Sequence, residues 1–306
     1  ECYSMGNYTS LVTGGCGFIG SHIVDRLVEM NHSVIVIDDL SAPENEKFYF
    51  NENKEKVTYL KKDISEDDCG GHFLGVDWVF HLAARSRIQP TIGNPEDCFR
   101  VNVLGTQRVL EWSRLAGVKK VVYSGTSSLY GKQNQIPFTP NMPADCLNPY
   151  SMSKWMGEQA CKLYYQLYGL DSIVLRYFNV YGPREPLKGK YAPVIGLFKR
   201  QEEEDRPITL VGNGLQRRDF TYIEDIVDLN ICAIKAESIE HGIYNAGTGK
   251  NYSILDIAYM IRKNSQIVHI ESRPAEVKET LADIEATVRD LRWSPKYKLE
   301  EMIAKY

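Results

Sequence analysis

A tyrosine and a lysine stand four residues apart in Tyr150-Ser151-Met152-Ser153-Lys154, a spacing that puts both on one face of a helix. An ammonium beside a phenol stabilises the phenolate. The pair therefore predicts a tyrosine whose pKa falls toward neutrality and which exchanges protons as a general base and acid. Y-x-x-x-K alone is a common helix-surface pattern. Here a run of hydroxyls precedes it, Ser124-Gly125-Thr126-Ser127-Ser128, where an apolar strand ends. The carboxyl ends of parallel strands are where open α/β sheets bind ligands. Further back, Gly14-Gly15-Cys16-Gly17-Phe18-Ile19-Gly20 sets glycines 14, 17 and 20 in a G-x-x-G-x-x-G pattern. Gly14 permits a tight turn, Gly17 lets a pyrophosphate approach the backbone, and Gly20 lets helix and strand pack closely. The helix opening at Phe18 and Ile19 then offers its N–H groups to the phosphates. Asp38 closes the next apolar run, 18 residues past Gly20. An acid there bonds both ribose hydroxyls of an adenosine and repels a 2′-phosphate, which predicts NAD rather than NADP.

These residues need a scaffold, and the first half of the chain supplies its pattern. Strand-like runs at Ser10–Thr13, Ser33–Asp38, Val57–Lys61, Trp78–Leu82, Val121–Ser124 and Ile173–Tyr177 are interleaved with amphipathic stretches at Phe18–Met30, Glu96–Ala116 and Ser151–Tyr168. Such alternation predicts a parallel sheet of βαβ units, a doubly wound Rossmann-type α/β fold. After Tyr177 the rhythm changes. Gly182, Pro183, Pro186, Gly189 and Pro193 crowd a loop that marks a lobe boundary. Ile208–Asp225 reads as a strand, a Gly-rich turn and a helix start, and the tail from Ser253 reads as helical.

The 306 residues are 43% hydrophobic and 25% charged, an ordinary globular composition. A formal net charge of −4 leaves no basic field for nucleic acid or an anionic membrane, so an anionic ligand must be held by a few placed arginines. Seven cysteines, scattered and without a C-x-x-C pair, point away from a disulfide framework or zinc site and toward a reducing cytoplasm. The six histidines have no ligand spacing, so no metal is expected, and His81 reads as a packing residue. No apolar run has membrane length. Met5 reads as the natural start, with Glu1–Ser4 a remnant of expression.

Taken together the motifs resemble the extended short-chain dehydrogenase/reductase family, and within it the nucleotide-sugar 4-epimerases. The similar stretches run from Leu11-Val12-Thr13-Gly14-Gly15 to Arg273-Pro274-Ala275-Glu276. They include Asp63-Ile64, His81-Leu82-Ala83-Ala84, Asn102-Val103-Leu104-Gly105-Thr106, Arg176-Tyr177-Phe178-Asn179-Val180-Tyr181-Gly182 and Arg218-Asp219-Phe220. The resemblance implies that Tyr150 is the catalytic base and acid, with Lys154 its partner and a ligand of the nicotinamide ribose. It makes Thr126 the hydroxyl that shares the sugar's 4-hydroxyl; many relatives carry Ser there. It implies adenine contacts at Asp63 and Ile64, cofactor-wall contacts at Leu82, Ala84 and Ser124, and nicotinamide neighbours at Tyr177 and Val180. Asn179, Arg218 and Arg273 would hold the nucleotide diphosphate, and Ser127, Ser128, Thr209, Glu276 and Thr280 would complete the substrate contacts. Thr280 matches a position where a tyrosine excludes a 2-acetamido group and a small residue admits it. The implied layout is an NAD-binding domain at 1–178, rejoined by 219–248, and a nucleotide-sugar lobe at 179–218 and 249–306.

By the same resemblance the activity is NAD-dependent inversion at carbon 4 of a UDP-sugar, UDP-glucose or UDP-N-acetylglucosamine, through a 4-keto intermediate. UDP-glucuronate is the alternative, with Arg87 or Arg184 aiding the hydroxyls of Thr126, Ser127 and Ser128 on a carboxylate. Sugar-nucleotide dehydratases and decarboxylases rank lower, because they place acids where this chain has Ser127 and Ser128. A non-catalytic dinucleotide sensor is a further alternative, against which Tyr150 and Lys154 both speak. In the resembling family the helices around Glu96–Ala116 and Ser151–Tyr168 pair across a two-fold axis, which implies a homodimer.

Overall fold

Short Val- and Ile-rich runs alternate with amphipathic segments, and strands buried on both faces must be covered on both faces. The structure, a computed structural model, describes residues 7–42, 47–187, 192–237, 239–271 and 277–305. Along the first half lie β1 (Thr9–Thr13), α1 (Phe18–Glu29), β2 (Ser33–Asp38), β3 (Val57–Lys61), β4 (Trp78–His81), α2 (Ile88–Gly93), α3 (Pro95–Phe99), α4 (Gly105–Ala116), β5 (Lys120–Thr126), α5 (Pro149–Tyr168) and β6 (Ser172–Tyr177). The second half follows with β7 (Val180–Tyr181), α6 (Val194–Glu203), β8 (Ile208–Val211), β9 (Arg217–Asp219), β10 (Thr221–Tyr222), α7 (Ile223–Lys235), β11 (Gly242–Ala246), β12 (Asn251–Ser253), α8 (Ile254–Ile261), β13 (Ile267–Ile270), α9 (Glu285–Leu291) and α10 (Leu299–Met302).

Seven strands form one parallel sheet in the order β11-β6-β5-β4-β1-β2-β3. The order turns back between β1 and β4, so a crevice opens at their carboxyl ends. Helices α1 and α7 cover one face with Ile23, Leu27, Ile223 and Val227. Val109 and Leu110 of α4, with Cys161 and Tyr164 of α5, cover the other. Helix α5 lies close to the sheet because Gly157 has no side chain: a Cβ there would sit 2.1 Å from the hydroxyl oxygen of Tyr123. That buried hydroxyl donates to the carbonyl of Lys154 at 3.2 Å.

Outside this sheet, β7 pairs with β10, β9 with β12 and β8 with β13. Asp219 of β9, fully buried, ties these strands to the main sheet. Its carboxylate accepts N–H bonds from Thr248 (2.9 Å) and Gly249 (3.0 Å), just beyond β11, and from Ala282 (3.1 Å), plus the Thr248 hydroxyl (2.7 Å). Burial pushes the Asp219 carboxyl up, and these bonds pull it back.

Several elements differ from the expectation. The stretch read as one helix over Glu96–Ala116 is α3 and α4 joined by a π turn at Arg100–Leu104. Asn102 sits in that widened turn and bonds Ser153 of α5 (2.9 Å) and the carbonyl of Arg85 (3.0 Å); such bulges re-aim a side chain at the cost of helical regularity. Strand β5 runs on through Thr126, beyond the expected end at Ser124. The turn before Asp225 holds β9 and β10, too short to show a two-residue alternation. The tail is not helical throughout, since β13 pairs in parallel with β8. Residues 1–6, including the expected start at Met5, lie outside the described residues.

Candidate active site

The glycine turn that follows β1 is tight by construction. Gly14 has φ +69° and donates to the Ile37 carbonyl at 2.8 Å. A Cβ on Gly14 would sit 2.8 Å from the nitrogen of Ala83, and one on Gly20 would sit 2.1 Å from the carbonyl oxygen of Gly14. Only glycine meets both conditions. Gly17 caps α1 without a side chain, so the first turn's N–H groups face the cleft uncovered by any capping side chain.

Asp38 does two jobs. Its carboxylate accepts the N–H of Cys16 (3.0 Å), inside the glycine turn, and that of Leu40 (2.9 Å). Burial pushes this carboxyl up, and the two backbone bonds oppose the shift. The remaining lone pairs suit two ribose hydroxyls. Asp63 is held in place by Ser65, through its N–H (2.7 Å) and hydroxyl (2.5 Å), and by Arg100 (3.2 Å). Burial acts upward on Asp63, but these bonds outweigh it and leave the carboxyl below its ordinary range.

Beneath the turn, Thr13 Oγ1 accepts from the N–H groups of Leu82 (3.1 Å) and Ala83 (3.2 Å). Its own proton is therefore directed to Nδ1 of His81, 2.6 Å away, and His81 Nε2 donates to Thr106 at 2.8 Å. Burial, and then the charge of Lys154, push His81 down to about 3, so it is neutral.

One cleft of about 670 Å³ lies over the ends of β1, β2, β4, β5 and β6. It gathers Gly14, Gly17, Phe18, Ile19, Gly20, Asp38, Asp63, Ile64, Leu82 and Ala84 at one end. In its middle lie Ser124, Thr126, Tyr150, Lys154, Tyr177 and Val180, and beyond them Ser127, Ser128, Asn179, Arg218 and Thr280. Thr126 accepts the N–H of Ser128 at 3.1 Å, which leaves its proton for another acceptor, and its hydroxyl is hydrogen-bonded to Tyr150. Ser124 donates to the hydroxyl of Tyr177 (3.1 Å), which Asn230 also reaches at 2.9 Å. Asn179 has φ +32° and donates to the Asp219 carbonyl at 2.9 Å. Arg218 donates to the carbonyl of Arg217 at 2.9 Å, and the Thr280 hydroxyl accepts the N–H of Asp219 at 3.3 Å.

Five expectations need revision or fall outside the described residues. The Lys154 ammonium does not lower Tyr150. It lies 4.7 Å from the centroid of the Tyr123 ring, and burial raises the Tyr150 hydroxyl, opposed by Thr126 and by the charge of Arg87. Thr209 is not among the residues that line the cleft; its hydroxyl accepts from Gln201 at 2.9 Å. Arg184 is spent on Asp25 (2.7 Å) and Ser21 (3.1 Å) of α1. Arg273 and Glu276 lie outside the described residues. Cleft residues the motifs did not flag include Phe138, Leu147, Pro193 and Val277, apolar positions with no pattern of their own. No cluster of three or more metal-ligating side chains occurs among the described residues, and no helix there is long and apolar enough to cross a membrane.

The model of the NAD dependent epimerase/dehydratase family matches residues 10–247. A UDP-glucose 4-epimerase of Mycolicibacterium smegmatis is 33% identical over 305 residues, which cover 97% of this chain and 96% of that protein. A UDP-glucuronate 4-epimerase of Thermodesulfobacterium geofontis is 35% identical over 311 residues, 97% and 94% of the two chains. The solved structure of UDP-N-acetylglucosamine 4-epimerase from Methanobrevibacter ruminantium, in complex with UDP-N-acetylmuramic acid, superposes with a TM-score of 0.92 at 31% identity, covering 98% and 96% of the chains.

Asp38→Asn keeps the side chain's shape and removes its charge. It should weaken NAD by about 10- to 100-fold, the worth of hydrogen bonds to a charged acceptor, and narrow the gap between NAD and NADP. Calorimetric titration of both dinucleotides checks this; an unchanged preference would move ribose recognition to another residue.

Proposed function

We propose that this chain, which belongs to the NAD dependent epimerase/dehydratase family, inverts carbon 4 of a UDP-sugar. The observation that carries the reading is the triad of Thr126, Tyr150 and Lys154 in one cleft with the glycine turn and Asp38. The residues fit the dinucleotide: an uncapped helix start for phosphates, Asp38 for the adenosine ribose and the Asp63–Ile64 edge for adenine. NAD, when bound, would supply a reversible hydride acceptor for carbon 4, and the protein would supply orientation and proton handling.

Tyr150 takes the proton of the 4-hydroxyl and later returns it. Thr126 shares that hydroxyl: with its acceptor side occupied by Ser128, its proton points to whichever oxygen carries negative charge. Lys154 holds the ribose beside the nicotinamide. Asn179 and Arg218 tether the diphosphate, with Arg273 as a third group, so the 4-keto sugar can turn over without escaping. Ser127 and Ser128 lack acid or base strength, which sets dehydration and decarboxylation behind epimerisation. Thr280 stands in the cleft lining as a small residue, and we read the pocket as admitting UDP-N-acetylglucosamine alongside UDP-glucose. One observation favours a second reading, UDP-glucuronate: Arg87 lines the same cleft and its charge reaches Tyr150, so a sugar carboxylate would meet a cation. Proton NMR of UDP-glucose, UDP-N-acetylglucosamine and UDP-glucuronate incubated with the enzyme decides among them.

Met152, Met156, Leu163 and Leu167 form an exposed seam on α5, and Leu115 is exposed on the neighbouring α4. We read these helices as the interface of a homodimer. Light scattering at micromolar concentration should return about twice the 34.9 kDa chain mass. Met156→Glu should return the monomer; a monomeric parent would refute the interface.

Tyr150→Phe should keep fold and NAD affinity and lower kcat by about 100- to 10,000-fold, the range for general acid–base catalysis. Activity within about threefold of the parent would remove Tyr150 from the proton path. Thr280→Tyr should depress turnover of the acetamido sugar by about 5- to 150-fold, the effect of overfilling a pocket, and spare UDP-glucose. Equal loss of both substrates would show that Thr280 does not select between them.

A further inference from the structure

Two turns of α5 beyond Tyr150, and one beyond Lys154, the same helix face carries Glu158, which is fully buried. Arg176 of β6, also buried, grips it through three bonds, Nε to Oε1 at 3.0 Å and to Oε2 at 3.3 Å, and Nη2 to Oε2 at 2.7 Å. The third arm of the guanidinium, Nη1, donates to the Tyr130 hydroxyl (2.9 Å) and the Pro140 carbonyl (3.1 Å). Tyr130 in turn donates to Asn245 of β11 at 2.6 Å. Gly125, the residue before Thr126, leaves room for the carboxylate: a Cβ there would lie 3.0 Å from Glu158 Oε1. The pair thus sits under the strand end that presents Thr126 and under the helix that presents Tyr150 and Lys154.

A buried ion pair is costly to desolvate and is replaceable by apolar packing of the same volume. Its presence below three chemical side chains therefore asks for a reason beyond stability. We propose that Glu158 and Arg176 are positioning residues for the Tyr150–Lys154 pair, Glu158 as the counter-charge of the Lys154 ammonium and Arg176 as the tie that fixes Glu158 to the sheet. The inference rests on the role given above to Lys154. That ammonium is buried, with Tyr123 of β5 and neutral His81 of β4 facing it from the sheet, Cys98 from α3, and Glu158 and Cys161 from its own helix. Burial pushes it down to about 8, and Glu158 is the foremost group opposing the shift. Glu158 is the only carboxylate in that set. Lysine can hold a ribose hydroxyl as a cation only while protonated.

The two halves of the pair make opposite predictions, which a merely structural role does not. Glu158→Gln leaves Arg176 as an unbalanced cation near Lys154, so the alkaline limb of kcat should move down by about one pH unit, with KM for the UDP-sugar within about threefold. Arg176→Gln leaves the carboxylate unbalanced, so the limb should move up by a similar amount. The double variant should return it toward the parent. NAD affinity followed against pH by calorimetry, without sugar, should show the same two displacements. That arm separates the inference from the assigned reaction: if no UDP-sugar is turned over by the parent, the reaction is wrong, and the NAD profiles still report on Lys154. Where one variant does not fold, the other tests the sign alone. Where neither folds, Glu158→Asp, which withdraws the charge by one methylene, should move the limb down by less. Profiles that do not move, or that move the same way in Glu158→Gln and Arg176→Gln, overturn the proposal.

Discussion

The hydroxyl of Thr13 is the point on which the site depends. In a doubly wound sheet the crevice exists because the chain leaves β1 in one direction and β4 in another, so the ladder that joins them must stop where the ligand begins. Thr13 carries the join one step further. It accepts the N–H groups of Leu82 and Ala83 and spends its proton on His81, which passes the constraint to Thr106 on α4. One side chain thereby fixes the floor of the glycine turn, the wall formed by Leu82 and the tautomer of a buried histidine. The Cβ of any residue but glycine at position 14 would collide with that same floor.

From this floor the site divides into parts held by different means. The end proposed for the dinucleotide is mostly backbone: a turn, a helix start and a carboxylate that also serves the turn. The proposed reacting centre is side chains on the end of β5 and the first turns of α5, seated on the sheet by the Gly157–Tyr123 approach. The end proposed for the sugar nucleotide is formed by loops tied back through Asp219.

What could be read from the chain follows the same division. The glycine turn, Asp38, the Thr126 hydroxyl and the Tyr150–Lys154 spacing are local patterns, and their geometry is settled by neighbours a few residues away. Arg184 looked available for an anion because nothing nearby in sequence claims it; its partner Asp25 lies 159 residues upstream. The Thr209 hydroxyl accepts from Gln201 of α6, a partner eight residues upstream on another element. Glu158 lies at helical spacing from Lys154 and was legible in principle, but its meaning comes from Arg176 on a strand that only the fold brings beneath it. Strands of two or three residues, β9 and β10, carry no periodicity at all. The lowered Tyr150 was inferred from spacing alone, whereas the side chains also choose rotamers: the ammonium settles on the Tyr123 ring.

Asp219 has a mechanical consequence. Its carboxylate fastens the end of β9 to the backbone just past β11 and to Ala282, and its carbonyl accepts from Asn179, so these segments are riveted to the edge of the main sheet. A hinge at this joint would have to break several buried bonds at once. On the proposed reaction, exposure of both faces of a ring to one hydride position would then come from rotation about the single bonds between sugar and diphosphate, so that the torsional freedom belongs to the ligand.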